Sequence, residues 1–370
     1  MASTFSVRGG SDSFAGADPY SAAMAFVRGK VEVEGDLVEA VRDHLRRSSV
    51  SWAARFMNAI GALAPWRLTQ LWRSRARTAR DIRFHYDRSN DFYRCFLDSR
   101  LVYSCAYFLS PGQTLDEAQL AKLDLVCGKL QLARGDRLLD IGCGWGALLF
   151  HAAGKFGAHA TGCTLSANQA GHVRREIQAR GCAGSVDVHE ADYRDLDGQY
   201  GKIASIGMFE HVGGPRLTGY FRKVRQLLAP GGLFLNHGIT IPAGVPNTAG
   251  GLFVARHVFP GGRLVTLGQL ASAAERAGLE IADVENLRRH YALTCREWVV
   301  RLRREEKRCL ACVDAETWRT WQLYLAGSAV AFEEGGLNVH QVLMTRRGDV
   351  SPLPMVRRLI PACAEPACVK

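Results

Sequence analysis

The segment Asp140-Ile141-Gly142-Cys143-Gly144-Trp145-Gly146 follows a short apolar run that predicts a buried strand, and it precedes a predicted helix. Glycines at such a junction let the backbone turn tightly and approach a ligand, while the following helix offers free N–H groups. The G-x-G-x-G spacing disfavours the pyrophosphate of a dinucleotide. It favours a nucleoside with a charged amino-acid tail, S-adenosylmethionine; a glycine turn that binds no ligand is the alternative.

Two polar segments follow the next two predicted strands. Folds of this kind usually place an acidic residue on the ribose after the second strand, but this chain has Thr164-Leu165-Ser166-Ala167-Asn168-Gln169 there. Thr164 and Gln169 can still form hydrogen bonds, so we expect a polar pocket without an acid at this point. After the third strand, Asp192 and Tyr193 are in position to meet the adenine, with Tyr193 as a packing residue the alternative.

A second group of reactive side chains is spread along the chain. Tyr103-Ser104-Cys105-Ala106-Tyr107-Phe108 precedes the predicted sheet, Glu210-His211 follows its fourth strand, and His237 follows its fifth. Open α/β sheets build their sites at the carboxyl ends of strands, so we expect these groups to converge on one cleft. Glu210 could hold or act as a base, and His237 could donate to an anion. Three further cysteines are interpreted as small apolar residues: Cys127, Cys143 and Cys163.

The elements that must position these groups follow from the apolar pattern. From residue 132 onward, apolar runs alternate with helical periods, which is typical of a parallel α/β sheet. Five strands are predicted within DRLLDIG, HATGCTL, VDVHEADY, KIASIG and GGLFLNHGITI. Residues 264–325 are expected to be mostly helical, and LNVHQVLMTRR is expected to be a late antiparallel strand at the far end of the sheet. The predicted fold is a doubly wound, mostly parallel α/β sheet.

The composition limits the class of protein. The chain has 370 residues and a formal net charge of +11, from 47 Lys and Arg against 36 Asp and Glu. Such a surface suits nucleic acid, anionic lipid or acidic small molecules, and does not choose among them. With 47% hydrophobic and 22% charged residues, a mainly disordered chain is excluded. No run of about 18 apolar residues is present, so no membrane span is predicted.

The N-terminus and the cysteines indicate a compartment. MASTFSVRGGSDSF lacks the basic-then-apolar pattern of an export signal, so a cytoplasmic protein is expected. The 11 cysteines have no disulfide-framework spacing, which favours reduced thiols. Cys309 and Cys312 form a lone C-x-x-C pair, with no second pair or histidine pair at zinc spacing. A metal or redox site is therefore the weaker interpretation, and no metal is predicted.

The N-terminal region differs in pattern from the rest. Asp36 can cap a helix with an apolar face formed by Leu37, Val38, Val41 and Leu45. Residues 51–80 combine large apolar side chains with six arginines, which is typical of a basic helix on an anionic membrane surface. The alternative is that the aromatic residues pack on the main domain and the arginines are solvated. We predict a helical docking region over 1–80 and a catalytic domain over 81–370.

Seven short segments carry a family resemblance: YSCAYF, LLDIGCGWGA, CTLSANQ, SIGMFEHVG, LNHGIT, FPGGRL and RHYALT, in this order. Together they resemble the cyclopropane fatty acid synthases, which include the mycolic acid cyclopropane synthases, over residues 81–345. Residues 20–71 resemble the helical N-terminal extension of the members that act on phospholipids. The resemblance implies a class I methyltransferase-like fold with a seven-stranded sheet, and it favours a membrane phospholipid as substrate.

The resemblance also implies a mechanism, in which the S-adenosylmethionine methyl group goes to a cis double bond of an acyl chain. The alkene is the nucleophile, so no activated Ser or Cys is needed. Attack leaves a carbocation, and bicarbonate removes a proton from the new methyl group so that the ring closes. By position, the bicarbonate would be held by Cys105, Glu210, His237, the backbone N–H of Ile239, and Tyr291. Glu210 must then be protonated or share a proton with it, since two bare anions in one pocket repel each other.

The same motifs imply the cofactor contacts and the substrate tunnel. The contacts are Tyr103, Ser104, Asp140, Gly142, Cys143, Gly144, Trp145, Gly146, Thr164, Leu165, Gln169, Asp192 and Tyr193. The acyl chain is expected in an apolar tunnel under residues 242–262. Its candidate lining, for which ordinary core packing is the alternative, is Leu252, Phe253, Val254 and Phe259.

Two positions depart from the family's pattern. Where many members have Cys in a G-C-x-x-x-F segment, this chain has Ser328. That thiol is not required when the alkene is the nucleophile, so Ser328 is expected to be harmless. Where Thr is common in LNHGIT, this chain has Gly238, which could loosen the turn at the fifth strand while His237 and Ile239 stay in place.

The function predicted from these observations is that of a cyclopropane-fatty-acyl-phospholipid synthase, bound peripherally to the inner face of the cell membrane. Its partner would be an unsaturated acyl phospholipid in an anionic membrane, and a homodimer is left open. One alternative is a C-methyltransferase that makes a methyl-branched lipid or a methylated small molecule, and another is a non-catalytic lipid-binding protein. No nucleic-acid partner is expected, because no recognition module or basic-aromatic RNA motif is present.

Overall fold

The computed structural model describes residues 4–7, 19–47, 89–245, 253–254, 258 and 264–356. One sheet consists of seven strands, β3 (Arg137–Ile141), β4 (His159–Thr164), β5 (Val186–Glu190), β6 (Tyr200–Ile206), β7 (Leu228–Thr240), β8 (Leu279–Asn286) and β9 (Asn338–Arg346). Their order is β5-β4-β3-β6-β7-β9-β8. A separate antiparallel pair is formed by β1 (Thr4–Val7) and β2 (Val31–Glu34).

The helices of the described residues alternate with these strands. They are α1 (Pro19–Val27), α2 (Leu37–Arg47), α3 (Asn90–Arg94), α4 (Leu115–Lys129), α5 (Ala147–Phe156), α6 (Ala167–Arg180), α7 (Leu217–Leu227), α8 (Leu267–Arg276), α9 (Arg288–Arg304), α10 (Glu306–Leu310) and α11 (Ala315–Glu333).

Strand pairing follows the apolar pattern of the sequence. Neighbouring strands from β5 to β7 pair in parallel, and β9 pairs antiparallel with both β7 and β8. Leu138, Leu139 and Ile203 in the middle strands are fully buried, as expected for a parallel sheet that is covered on both faces. The predicted doubly wound, mostly parallel α/β sheet is confirmed.

The order at the antiparallel end differs from the prediction. β9 is antiparallel as predicted, but it lies between β7 and β8, so β8 and not β9 is the far edge. β8 falls within residues 264–325, which were predicted to be mostly helical. Only Leu279 of this strand is buried, and acidic residues such as Glu280 and Glu285 interrupt its apolar pattern. An edge strand with one neighbour gives this weak signal because most of its residues remain partly exposed.

Three apolar clusters join the helices to the sheet. One face of the sheet packs against α4, α5 and α6, and the other packs against α7 and α8. The third cluster joins α9 and α11 to α1, α2 and α3, and it includes Trp145 with Ile239 packed against it. This third cluster therefore covers the carboxyl edge of the sheet, where the site was expected.

The described N-terminal residues pack on this third cluster. Asp36 caps α2 as predicted, since its carboxylate accepts hydrogen bonds from the N–H groups of Val38 and Glu39 at 2.7 and 3.3 Å. Arg42 of α2 forms an ion pair with Glu333 at the end of α11. The β1–β2 pair was not predicted. Residues 51–80, the predicted membrane-docking segment, lie outside the described residues.

The described residues offer neither a membrane span nor a metal site. No helix in these parts of the chain is both long and apolar enough to cross a bilayer. The same residues contain no group of three or more His, Cys, Asp or Glu side chains arranged to hold a metal ion.

Gly162 of β4 packs directly under the glycine loop (residues 142–146), and a Cβ there would lie 2.7 Å from both Cys143 Sγ and Leu149 Cδ1. Gly162→Ala is expected to overpack this contact and lower the free energy of unfolding by about 1–3 kcal/mol. Urea unfolding followed by circular dichroism measures the change.

Gly154→Ala in α5 is the matched control, because a Cβ there meets no atom within 4 Å. Alanine favours a helix over glycine by roughly 1 kcal/mol, so this variant should be at least as stable as the wild type. If G162A were as stable as the wild type, the close packing beneath the glycine loop would be contradicted.

Candidate active site

A cleft opens at the carboxyl edge of β3, β4, β5 and β6, with an empty volume of about 1250 Å³ out to its mouth. The glycine loop forms one wall, and the segments after the next strands form the others. The predicted cofactor contacts that line it are Tyr103, Ser104, Asp140, Gly142, Cys143, Gly144, Trp145, Thr164, Leu165, Gln169, Asp192 and Tyr193. Of the predicted contacts, only Gly146 is absent from this lining.

Gly146 shapes the glycine loop rather than the cleft surface. It has φ +85° at the start of α5, and a Cβ there would lie 2.9 Å from Phe150 Cε2. The loop is also tied to β4, because the N–H groups of Gly142 and Cys143 both donate to the carbonyl oxygen of Cys163, at 2.9 and 3.0 Å. The glycines therefore permit a turn that no larger residue could make.

The polar groups after β4 and β5 have partners within the protein. Thr164 Oγ1 donates to Gln169 Oε1 at 2.8 Å. Asp192 accepts hydrogen bonds from Arg194, through the backbone N–H at 3.0 Å and through Nε at 2.8 Å. Tyr193 lines the cleft and also packs edge-on against Tyr220 at 5.4 Å between ring centroids. A ligand there would meet the Asp192–Arg194 ion pair, which the sequence argument did not include.

Two buried side chains of α4 hold the segment that carries Tyr103 and Ser104. Gln119 Nε2 donates to the carbonyl oxygen of Ser104 at 2.8 Å, and Lys122 Nζ donates to Ser104 Oγ at 3.2 Å. Neither Gln119 nor Lys122 was predicted from the sequence. The available signal was that both polar residues lie on the apolar face of the helix, three residues apart.

Charged groups in the cleft wall are strongly affected by burial. Burial raises the pKa of Asp140, and the Lys122 cation opposes this rise. Burial lowers the pKa of Lys122, and the carboxylates of Asp98 and Asp140 oppose this fall. Asp140 Oδ1 is buried and has no hydrogen-bond partner among the described residues. The wall thus presents a carboxylate and a cation, which complement the ends of an amino-acid tail.

Glu210 lies in a short turn after β6 and is fixed on β7. Its Oε1 accepts a hydrogen bond from the N–H of Ile239 at 2.7 Å, whereas its Oε2 is buried without a partner among the described residues. A Cβ at Gly238 would overlap Phe209 and lie 2.8 Å from Glu210 Oε1. Gly238 lies inside β7, so the idea that it could loosen a turn is wrong: it makes room for the carboxylate.

The protonation of Glu210 follows from its surroundings. Burial raises the pKa of Glu210 to about 7, although the hydrogen bond from Ile239 lowers it. Both the protonated and the ionised form of the carboxyl group are therefore accessible near neutral pH. It can therefore share a proton with a neighbouring anion. This sharing is necessary because a carboxylate and a second anion in one pocket would repel each other.

His237 lies within β7 and not after it, because β7 pairs with β9 as far as Thr240. Its Nδ1 lies 3.2 Å from Nε2 of Gln341 on β9. Burial lowers the pKa of His237 well below its usual range, so the ring is neutral. With the Gln341 amide donating to Nδ1, the hydrogen is on Nε2, which is buried without a partner among the described residues. It can therefore donate to an anion, as predicted.

Cys105 and Tyr291 are both held as neutral groups. Cys105 is fully buried, with Sγ 3.2 Å from the carbonyl oxygen of Ala106. Tyr291 lies near the start of α9 and stacks on Phe332 at 4.6 Å. Burial raises the pKa of both groups well above their usual ranges, and for Tyr291 Coulomb interactions with Cys105 and Glu210 add to this. Tyr291 thus interacts electrostatically with both Cys105 and Glu210.

Aromatic rings enclose this part of the cleft. Tyr103 packs against Trp298 and Trp321, with centroids 5.2 and 5.9 Å apart. Tyr93 packs against Trp145 at 4.8 Å. Three of these residues, Tyr93, Trp298 and Trp321, were not predicted from the sequence. Large aromatic residues are common in any core, so their type alone does not indicate a site.

Part of the predicted tunnel lining and the position of Ser328 lie within the described residues. Phe253 and Val254 belong to a small apolar cluster with Val27 and Val258, while Leu252 and Phe259 lie outside the described residues. Ser328 Oγ donates to the carbonyl oxygen of Tyr324 one turn earlier in α11, at 2.8 Å. Ser328 is thus satisfied by its own helix.

The residues present fit both predicted ligands. For S-adenosylmethionine, the cleft offers Ser104, Lys122 and Asp140 to an amino-acid tail and the rings of Trp145 and Tyr193 to a nucleoside. For a small anion such as bicarbonate, Glu210 Oε2 and His237 Nε2 are two buried polar atoms that a ligand could satisfy.

Comparisons with known proteins agree with this geometry. The profile of the mycolic acid cyclopropane synthetase family matches residues 73–342. A probable fatty acid methyltransferase of Pseudomonas putida is 44% identical over 329 residues, which cover 87% of this chain and 81% of that protein.

Two solved structures are similar over 72% of this chain and 97% of their own. The cyclopropane synthase MmaA2 from Mycobacterium tuberculosis is 35% identical, with a TM-score of 0.70. The mycolic acid cyclopropane synthase CmaA1, solved in complex with SAH and CTAB, is 36% identical, also with a TM-score of 0.70. Since the profile covers most of the chain and these relatives share its fold and sequence, the chain belongs to the mycolic acid cyclopropane synthetase family of S-adenosylmethionine-dependent methyltransferases.

Proposed function

We propose that this protein adds a methylene group from S-adenosylmethionine to the cis double bond of an unsaturated phospholipid acyl chain, which makes a cyclopropane ring. The proposal depends mainly on two buried atoms that have no hydrogen-bond partner among the described residues, Glu210 Oε2 and His237 Nε2. Both residues adjoin the cofactor cleft. His211, which follows Glu210 in sequence, and Ile206, which pairs with His237 between β6 and β7, line it. An alkene needs no activated nucleophile, but ring closure needs a base, and these atoms suit a small anion in that role.

The cofactor cleft would bind and orient the methyl donor. S-adenosylmethionine, when bound, supplies an electrophilic methyl group. Ser104 and Asp140 would hold its amino-acid end, and Trp145 and Tyr193 its nucleoside end. Tyr103, which lines the cleft and is backed by Trp298, would exclude water and offer a π face that stabilises positive charge developing on the acyl chain.

A second group of residues would hold the base, which bicarbonate supplies when bound. The Ile239 N–H fixes Glu210 Oε1, so Oε2 is left to hold a proton toward the anion. His237 Nε2–H would donate to the same anion, and neutral Cys105 and Tyr291 add further donors. In balance, the double bond gains one CH₂ and one proton passes to the base. An anion held here also stabilises the positive charge of the reaction.

The choice of a phospholipid rests on charge and on the N-terminal region. The net charge of +11 and the arginines of residues 51–80 favour an anionic bilayer surface. Residues 1–80 would dock the protein there, while residues 81–370 carry out the reaction. An acyl chain could then pass from the bilayer to the cleft without entering water.

A methyl-branched fatty acyl product is the second candidate. The name of the Pseudomonas putida relative, a probable fatty acid methyltransferase, favours it. Cleft and cofactor would be the same, but the carbocation would lose a proton from a carbon of the acyl chain. The product would then keep the whole methyl group and would contain a double bond instead of a ring. Whether the added carbon loses a proton distinguishes the two products.

Incubation with S-adenosylmethionine and vesicles of anionic phospholipid with cis-monounsaturated chains is expected to raise the acyl mass by one CH₂. The physical reason is that the alkene gains a methyl group from the donor and then loses one proton in ring closure, so the net gain is one CH₂. Mass spectrometry of the extracted lipids measures the gain. An unchanged acyl mass would contradict the proposal and favour a lipid-binding protein without turnover.

Glu210→Ala is expected to lower kcat by at least about 100-fold, because it removes the group that positions and protonates the anion. Glu210→Gln keeps a donor at the position of Oε2 and should lose less. The wild-type rate at constant bicarbonate should fall as the pH rises through about 7, where Glu210 loses its proton. The glutamine variant should lack this fall. Initial rates from pH 6 to 8.5 test both statements.

Ser328→Ala serves as the control for these variants, since Ser328 bonds only to its own helix among the described residues. Its rate should match that of the wild type, and SAH affinity should be unchanged in all three variants. Full activity of Glu210→Ala, or a falling pH limb in Glu210→Gln, would remove Glu210 from the anion site.

Replacement of Arg73, Arg75 and Arg77 by Gln together is expected to weaken binding to anionic vesicles, because each arginine near such a surface contributes about 1 kcal/mol. Vesicle sedimentation measures binding, and SAH affinity should not change. Equal sedimentation of wild type and triple variant would contradict docking through residues 51–80.

A further inference from the structure

Lys122 is an unusual residue for the apolar face of a helix. Its side chain is 2% exposed, and it lies on α4 among buried residues such as Leu123 and Val126. Its Nζ donates to Ser104 Oγ, and the residue also lines the cofactor cleft. Lysine is almost never fully buried unless its charge is compensated, so its compensating partners should reveal its role.

Gln119, one turn earlier on α4, holds the same segment without a charge. It is fully buried, and its Nε2 donates to the carbonyl oxygen of Ser104 at 2.8 Å. The two side chains therefore divide the work: Gln119 fixes the backbone of residue 104, and Lys122 fixes its hydroxyl group. This pair on one helix supplies a charged and a neutral anchor for one point of the cleft.

The bond from Lys122 decides what Ser104 can do. A serine hydroxyl has one hydrogen to donate and two lone pairs that accept. Because Ser104 Oγ accepts from the Lys122 ammonium, its own hydrogen is left to be donated into the cleft. A hydroxyl held in this way is an oriented donor for a carboxylate, such as that of an amino-acid tail.

Asp140 is the second group that depends on Lys122. It lies at the end of β3, is 3% exposed and lines the same cleft, with Oδ1 lacking a partner among the described residues. Its charge and that of Lys122 interact across the cleft wall. A buried carboxylate without a nearby cation would take up a proton, and a neutral carboxyl group would no longer attract an ammonium group.

We propose that Lys122 is a positioning residue for the amino-acid end of the cofactor: its hydrogen bond orients the Ser104 hydroxyl toward the cofactor carboxylate, and its positive charge, in the same cleft lining, favours the ionised form of Asp140 toward the cofactor ammonium. The proposal rests on the S-adenosylmethionine part of the proposed function and on no property of the lipid. It assigns to α4 the task of making the cleft complementary to a zwitterion.

Other titratable groups around this pair do not carry the expected pH effect. Those that interact with Lys122 or Asp140 are Asp98, Cys105, Cys127, Cys143, Cys163 and His237. Burial keeps the four cysteines and His237 neutral near pH 7. Burial also raises the pKa of Asp98, but the backbone N–H groups of Val102 and Arg100 oppose this. Lys122 also lowers the pKa of Asp98, so the contribution of Asp140 has to be separated from that of Asp98 with an Asp140 variant.

Calorimetric titration of the full-length protein with SAH, from pH 6 to 8.5, tests the proposal without any lipid. Lys122→Met keeps the apolar stem and is expected to weaken SAH binding about tenfold or more at pH 7. The loss relative to the wild type should shrink toward pH 8.5 for two reasons. Asp140 without Lys122 ionises only at higher pH, and Lys122 in the wild type, with a pKa that burial lowers to about 8, gives up its own charge in this range. Gln119→Leu is the matched neutral control and should weaken binding by a factor that does not change with pH.

A double-variant cycle with Asp140→Asn completes the test. The loss in Lys122→Met/Asp140→Asn should be smaller than the product of the two single losses, because part of the Lys122 effect passes through Asp140. If Lys122→Met does not fold by circular dichroism, the double variant, which lacks both the Lys122 ammonium and the Asp140 carboxylate, is compared with Asp140→Asn. A further loss there still reports the Ser104 contact.

Three outcomes would overturn the proposal: unchanged SAH affinity in folded Lys122→Met, a loss as independent of pH as that of Gln119→Leu, or a double variant no weaker than Asp140→Asn where the single variant does not fold. Each is distinct from failure of the proposed function. A wild-type protein that binds SAH but leaves acyl chains unchanged would refute the lipid reaction and leave the role of Lys122 standing.

Discussion

The central constraint in this structure is that polar groups are buried at the carboxyl edge of the sheet without partners among the described residues. Asp140 Oδ1, Glu210 Oε2 and His237 Nε2 are of this kind. Leaving such a group unpaired costs about 1–3 kcal/mol, so well-packed surroundings must hold each one in place. β7 does so for two of them, because it pairs with β6 and β9 and carries both His237 and the N–H that fixes Glu210. The atoms remain available for ligands.

The site divides along the sheet into two parts. The cofactor cleft lies beyond β3, β4 and β5, where the glycine loop lets a ligand approach the backbone, and the proposed anion site lies beyond β6 and β7. Glycine residues leave the necessary space in both parts. In the cofactor cleft they let a ligand approach the backbone, and at the proposed anion site Gly238 leaves room for the Glu210 carboxylate. Burial then affects the protonation states: it keeps His237 neutral and raises the pKa of Glu210 and of Asp140 to about 7, while the Lys122 cation favours the ionised form of Asp140.

Local patterns were enough to predict the parallel strands, the glycine turn and the Asp36 cap, because each depends on neighbouring residues. The order of β8 and β9 was not predictable in the same way, since pairing of distant segments leaves little trace in an edge strand with a single buried residue. Glu210 and His237 were predicted as site residues because one follows a strand pattern and the other ends one. Gln119 and Lys122 act from a helix toward a loop 15 and 18 residues away in sequence, which no local pattern indicates. The ion pair between Arg194 and Asp192 was not predicted, because only Asp192 was considered as a ligand contact.

The central claim is that the added carbon loses one proton to a base held by Glu210 and His237. S-adenosylmethionine with a fully deuterated methyl group tests this directly, through mass spectrometry and proton NMR of the acyl product. The account predicts that two of the three deuterium atoms stay in the product and that its carbon skeleton contains a cyclopropane ring. A product that keeps all three deuterium atoms, without a ring, would contradict it.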